Sequence, residues 1–206
     1  MQKLSDAKAY ELLKKAKIPI AKFSLVKTPE QASKEAKKLK FPVVLKIDAE
    51  IIHKAQHGCV KIVKGEHELG AAFEEIMKNA KKVAKKIDGM IVQEFVKGSE
   101  FIVGGKRDAQ FGPIVLVGSG GVLANTLKDV SFRLAPLSKS DATEAIAMTK
   151  SYSSVKDSKK AIDALSDIVS KAGSLIDKNE KILELDINPV MVDAKRAVAA
   201  DVRIIV

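Results

Sequence analysis

The chain has 206 residues, 46% of them hydrophobic and 30% charged, and carries a net charge of +10 at pH 7. That balance suits a globular protein with a buried core, and no stretch approaches the roughly 20 apolar residues a membrane-crossing helix requires. A single cysteine, Cys59, excludes a disulfide framework and a cysteine-cluster metal site, and the polar start Met1–Asp6 does not read as a secretory leader, so a cytoplasmic protein without a membrane role is expected.

The basic charge raises a nucleic-acid reading. Its lysines, however, sit at helical spacing, as in Lys78, Lys81, Lys82, Lys85 and Lys86, and two tyrosines, seven phenylalanines and no tryptophan offer few stacking platforms. Solvated helix faces explain them better, and no nucleic-acid partner is expected.

Helices and strands alternate along the chain. Ala9, Leu12, Leu13 and Ala16 form one stripe of a helix over residues 5–17. Thr28-Pro29-Glu30-Gln31 is a helix start, with Thr28 capping, Pro29 in the first turn and Gln31 completing a capping box. That helix ends near Leu39, ahead of Pro42. Residues 43–47 read as a buried strand, and 58–63 as another. Leu69, Ala72, Phe73, Ile76, Met77, Ala80, Val83 and Ala84 mark a long amphipathic helix. Strands are expected at 92–96, 101–104 and 113–117, the last feeding the glycine loop Gly118-Ser119-Gly120-Gly121. Ser138 can cap a further helix, and Ala161, Leu165, Ile168, Val169, Ala172 and Ile176 line the next. The pattern is α+β (α/β), with antiparallel pairing where strands are joined by hairpins.

The final segment carries the most chemistry. Pairing strand 182–192 with 197–206 around Ala194-Lys195 sets opposite one another residues whose numbers sum to 389. One face then holds Leu183, Leu185, Ile187, Pro189 and Met191 against Val206, Ile204, Val202, Ala200 and Val198. The other aligns Glu184, Asp186 and Asn188, with Asp201 opposite Asn188 and Arg203 opposite Asp186. A one-residue slip would mix the two faces, which argues for this register. Converging carboxylates need a cation. Either Mg²⁺, completed by substrate phosphates, or Arg203 alone on a solvated face can supply it.

Lys46 interrupts an otherwise apolar strand. Its charge must reach water at the strand end or meet an anion, because unpaired burial is costly. The polar segment 51–61 follows, with His53, Lys54, His57 and Lys61 around Gly58, a composition able to cover phosphates.

Taken together, Phe41-Pro42-Val43-Val44-Leu45-Lys46-Ile47, Ile51-Ile52-His53-Lys54, residues 98–104, residues 107–113, Leu127-Lys128-Asp129-Val130-Ser131-Phe132-Arg133 and Glu184-Leu185-Asp186-Ile187-Asn188-Pro189 resemble the β subunits of ADP-forming acetate–CoA ligases. The resemblance spans essentially the whole chain. It implies an ATP-grasp fold with an N-terminal lobe at 1–92, a C-terminal lobe at 93–206 and ATP or ADP between them. It further implies that Lys46 contacts the phosphates, that Gln93, Glu94, Phe95 and Val96 lie beside adenine, that Glu100 lies near the ribose, and that Asp186, Asn188 and Asp201 hold Mg²⁺. The implied reaction converts acyl-CoA, ADP and phosphate to a carboxylate, CoA and ATP. A CoA-binding α subunit would act as partner, and His53 as a second phosphoryl carrier.

The chain departs from that family's pattern where Ala55, Gln56, Gly58 and Cys59 follow His53-Lys54, at Asn125, and at Ser153–Ser158, where an Arg-Gly stretch is usual. The alternative these departures suggest is a non-catalytic module that binds ATP or ADP and regulates.

Overall fold

The computed structural model describes residues 2–51, 54–121 and 129–206. The chain divides into two compact units: one of Ser5–Ala7 and Ala21–Val96, the other of Met1–Leu4, Lys8–Ile20 and Lys97–Val206. Among the described residues no helix is long and apolar enough to cross a membrane.

The first unit is built on a four-stranded antiparallel sheet of β1 (Phe23–Val26), β2 (Val43–Ala49), β3 (Val60–Val63) and β4 (Ile87–Glu94), in the order β1-β4-β2-β3. Its helices are α2 (Pro29–Leu39) and α3 (Glu66–Val83). Alternate residues of β2, Val43, Leu45, Ile47 and Ala49, are buried with Ala32 and Ala36 of α2 and Leu69, Phe73, Ile76 and Ala80 of α3. Strand parity therefore commits one face of the sheet to a helix-covered core and sends Val44, Lys46 and Asp48 to the other. Thr28 caps α2 by accepting the Gln31 N–H at 3.3 Å. The Gln31 side chain reaches back one residue further than a capping box requires, to the Lys27 N–H at 2.9 Å.

The second unit is built on a six-stranded antiparallel sheet. Its strands are β5 (Ser99–Asp108), β6 (Gly112–Ser119), β7 (Val130–Leu134), β8 (Glu184–Val192), β9 (Ala197–Ala199) and β10 (Arg203–Ile205). They run β10-β8-β5-β6-β7, with β9 continuing beside β8. Of α1 (Asp6–Lys15), residues 8–15 belong here, together with α4 (Lys139–Ala147), a 3₁₀ turn at Lys150–Ser154 and α5 (Lys159–Lys178). The expected α5 stripe is buried, as are Phe101, Val103, Val115 and Val117 of the sheet. Each such side chain withdrawn from water contributes about 1.5–3 kcal/mol. A methyl group on Gly173 would collide with Leu137 at 2.3 Å, so this turn of α5 lies hard against its neighbour. Ser138 caps α4 in a full capping box with Asp141.

The ATP-grasp expectation of mixed helices and antiparallel sheets agrees with this architecture, but three local expectations need correction. Strands β1 and β7 were not foreseen: β1 is four residues long with little apolar alternation, and β7 alternates but over only five residues, with its apolar Val130, Phe132 and Leu134 on the exposed side. The strand expected at 92–96 runs instead over Ile87–Glu94 and ends before Phe95. The C-terminal register does follow the sum of 389, in Asp186↔Arg203, Leu185↔Ile204 and Val190↔Ala199. Its clean alternation does not persist past Ile187. Against β5, Ile187 stands opposite Val103 and Val190 opposite Phe101, so Asn188 and Pro189 face the single residue Ile102. This bulge reverses the parity, and Val190 is fully buried in place of the expected Pro189. Pro189 has no N–H, so Ala200 donates to its carbonyl at 2.9 Å without a reciprocal bond, between β9 and β10.

Candidate functional site

In the first unit, the face of the sheet opposite the helices collects polar groups. Lys46 stands across from Ile91 and Gln93 across from Val44, so Lys46 and Gln93 are diagonal neighbours on one face. Both are buried, at 3% and 2% exposure. Of the two alternatives the sequence left for Lys46, emergence into water at the strand end is not what is seen: the residue is buried, and it is not without an interaction partner. Glu94 projects to the opposite face and accepts the Lys22 N–H at 2.9 Å. Phe95 is exposed and Val96 buried. The four consecutive residues at 93–96 thus have four different surroundings.

Asp48 continues the Lys46 face. Its Oδ1 accepts the Asp6 N–H at 2.9 Å, and its Oδ2 is buried without a hydrogen-bond partner. Asp6 in turn receives the ammonium of Lys54, and both members of that ion pair are almost fully buried. Burial pushes the Asp48 carboxyl up, and the Asp6 charge adds to it, against the Asp6 N–H and the Lys54 ammonium. Lys54 is thereby anchored in the fold as a buried counter-ion. His53, the expected phosphoryl carrier, lies outside the described residues, as do Asn125, Leu127 and Lys128.

In the second unit, the open face of the sheet carries Glu184, Asp186 and Asn188 in line. Arg203 approaches Asp186 at 3.5 Å and Glu184 at 3.7 Å. Asp201 lies between the paired residues of β9 and β10, and its charge is felt at Asp186. Burial is the main force raising the Asp186 carboxyl; Asp201 and Glu184 add to it, and Arg203 opposes them. Asp186 Oδ1 is buried with no hydrogen-bond partner among the described residues. Asn188 Oδ1 accepts the Gly121 N–H at 3.0 Å and keeps a second lone pair.

Glu100 joins this group through Gly121. Gly121 has φ +65°, and a Cβ there would fall 1.7 Å from Glu100 Oε2, so the carboxylate occupies the space that only glycine leaves open. The expected ribose residue and the expected metal ligand Asn188 therefore flank one backbone amide. Among the described residues no three His, Cys, Asp or Glu side chains converge as a metal cage. Two carboxylates and an amide, completed by ligand oxygens, are instead the donor set typical of Mg²⁺ held with phosphates. The unpartnered Asp186 oxygen fits that use.

One further acid was not singled out from the sequence. Asp129, 8% exposed, accepts Ser119 Oγ at 2.7 Å and the N–H groups of Lys150 at 2.8 Å and Ser151 at 3.1 Å. Burial opposes its charge, but those hydrogen bonds and the Lys150 charge outweigh burial and hold its carboxyl below the usual range. It ties the end of β6, at the glycine loop, to the 3₁₀ turn. Ser119 belongs to the glycine loop, but Lys150 and Ser151 lie 21 and 22 residues on and in no motif, so spacing alone could not reveal the cluster.

A family model described as an ATP-grasp domain matches residues 1–206. The chain belongs to the ATP-grasp family. It is 40% identical to subunit beta of the ADP-forming acetate–CoA ligase I of Pyrococcus furiosus, over 98% of this chain and 91% of that one. Among solved structures it is similar to the dinucleotide-forming acetyl-coenzyme A synthetase 1 of Korarchaeum cryptofilum in complex with coenzyme A, Ca-AMPCP and HgCl⁺. That match has a TM-score of 0.91 and 38% identity and covers 100% of this chain and 93% of the other. The same synthetase with coenzyme A and Mg-AMPPCP, its phosphohistidine segment pointing towards the nucleotide-binding site, matches with a TM-score of 0.83 and 34% identity, over 99% and 92% of the two chains. These ATP-grasp relatives are ligases, so the family is one of enzymes.

Proposed function

We propose that this chain is the nucleotide-binding β subunit of an ADP-forming acyl-CoA ligase, with acetyl-CoA as its model substrate. The observation that carries this reading is the open face Glu184–Asp186–Asn188, with its unpartnered Asp186 oxygen, in a chain related end to end to such a β subunit. In this reading Asp186, Asn188 and Asp201 are the Mg²⁺ ligands. Lys46 binds the phosphates, Gln93 to Val96 border adenine, and Glu100 binds the ribose. A CoA-binding α subunit is the partner, in the cytoplasm, and the phosphohistidine segment described for the Korarchaeum enzyme supports a relay through histidine.

Phosphate displaces CoA from the acyl-CoA, leaving an acyl phosphate and free CoA. The acyl phosphate passes its phosphoryl group to a histidine nitrogen, the P–O bond breaking to release the carboxylate. His53 receives the group, and a terminal ADP oxygen takes it, restoring the imidazole and yielding ATP. Bound Mg²⁺ would offset charge on the phosphate oxygens, and Lys46 would add a fixed cation to the same end.

The test has two parts. Calorimetry should show Mg-ADP binding that Asp201→Ala weakens markedly. With its α subunit, ADP, phosphate and acetyl-CoA, the wild type should make ATP, while His53→Asn should lose turnover yet keep its ADP affinity. Binding indifferent to Asp201→Ala would overturn the site assignment, and full turnover by His53→Asn would overturn the relay.

A further inference from the structure

Arg203 lies at the centre of the polar face, but neither the core nor the proposed ligand set needs it. It projects from β10 directly opposite Asp186 of β8 and has Glu184 within reach on the same side. Its approaches, 3.5 Å and 3.7 Å, are ion-pair distances, longer than a well-formed hydrogen bond. A guanidinium dedicated to one carboxylate would make two parallel short bonds, and this one does not. Both partners instead retain unused capacity: Asp186 Oδ1 and Arg203 Nε are each buried with no hydrogen-bond partner among the described residues. An orphan acceptor and an orphan donor side by side ask for a ligand bearing a cation and an anion together. A metal–phosphate unit has that composition. The side chains remain about one-third exposed, at 36% for Arg203 and 30% for Asp186, so such a ligand can reach them.

Resting on the function proposed above, we infer that Arg203 exchanges partners when nucleotide binds. It is the counter-ion of Asp186 and Glu184 before the metal arrives, and a direct ligand of the metal-bound polyphosphate afterwards. The first role makes it a competitor of the metal for Asp186. The second makes it a contributor to nucleotide affinity. The two roles predict shifts of opposite sign, which a merely structural residue would not produce.

The experiment compares wild type, Arg203→Gln and Arg203→Lys in two binding assays. Mn²⁺ alone, without nucleotide, is titrated by electron paramagnetic resonance, and Mg-ADP by calorimetry. Arg203→Gln should bind Mn²⁺ alone severalfold more tightly, and Mg-ADP about tenfold or more weakly, the scale of one charge-assisted hydrogen bond. Arg203→Lys, which keeps the charge but loses the fork, should fall between in both. If both affinities drop together, the residue is structural and the inference is wrong; if neither moves, it is also wrong. A wild type that binds Mg-ADP while Arg203→Gln is unaltered defeats this inference alone. A wild type that does not bind Mg-ADP defeats the underlying function as well.

Discussion

Asp129 offers the sharpest test of the energetic reasoning. The perturbation is Asp129→Asn, an isosteric change that removes the charge. One carboxylate oxygen now accepts the Lys150 N–H, and the other accepts both Ser119 Oγ and the Ser151 N–H. The amide oxygen of asparagine can keep the Lys150 contact, and the Ser119 hydroxyl can rotate to accept from the new NH₂. The Ser151 N–H then faces another donor and goes unsatisfied. Losing one hydrogen bond to a charged group costs about 1.5–3 kcal/mol, so about 2 kcal/mol is expected at pH 7. Asp129→Ala, which loses all three contacts, should cost more. The pH dependence has a definite sign. The folded-state carboxyl titrates below the ordinary 3.8, so the native protein gains stability from ionised Asp129 throughout the range above that value. The gain fades as the pH falls from 3.8 through the lowered folded value, and with it the difference between wild type and Asp129→Asn. Urea unfolding at neutral and acid pH reads both quantities. A variant as stable as wild type at pH 7, or a deficit that persists unchanged in acid, would refute the account.

Three further substitutions probe other contacts. Asp6→Ala strands the buried Lys54 ammonium and should cost about 3–5 kcal/mol, whereas the double change Asp6→Leu with Lys54→Met should cost much less, which a urea series would measure. Asp48→Asn keeps an acceptor for the Asp6 N–H and removes a charge that burial disfavours, so it should raise the melting temperature at pH 7. That gain should shrink as the pH falls through the raised folded value toward 3.8, where native Asp48 is neutral, and a pH-independent effect would contradict it. Gly121→Ala forces a side chain into a left-handed conformation costing about 1–2 kcal/mol and into the Glu100 carboxylate. Calorimetry should show weaker Mg-ADP binding, and urea unfolding a loss of stability that adding Glu100→Ala recovers in part; an unchanged affinity would contradict the placement of this amide at the site.

Much of this was legible in the sequence wherever one residue's surroundings are set by its neighbours in the chain. Thr28 and Ser138 cap their helices as their sequence contexts demand, and the α5 stripe is buried as its spacing demands. The C-terminal register was legible because two strands of complementary pattern are joined by a short turn. What escaped depends on distant partners. Lys46 looks like a misplaced charge in a strand until the sheet sets Gln93 diagonally beside it. Asp129 acquires meaning only when the 3₁₀ turn folds onto it, and Asp48 only when Asp6, 42 residues earlier, donates to it. The bulge at Asn188-Pro189 escaped because the β8–β10 pairing keeps one register throughout, and the shift appears only against β5.

That bulge also explains how one strand serves two masters. Up to Ile187, β8 alternates strictly, its odd residues in the core and its even residues on the open face. Had the alternation continued, Val190 would stand on the open face and Pro189 in the core. The extra residue lets Asn188 be the last polar group of the row and returns Val190 to the interior opposite Phe101. The row of Glu184, Asp186 and Asn188 ends where the Gly121 amide meets it, so the strand's irregularity and the glycine's left-handed backbone are two halves of one arrangement. Removing either should disperse the oxygen donors without unfolding the sheet, because the ladder from Glu184 to Ile187 is fixed independently by β5 and β10.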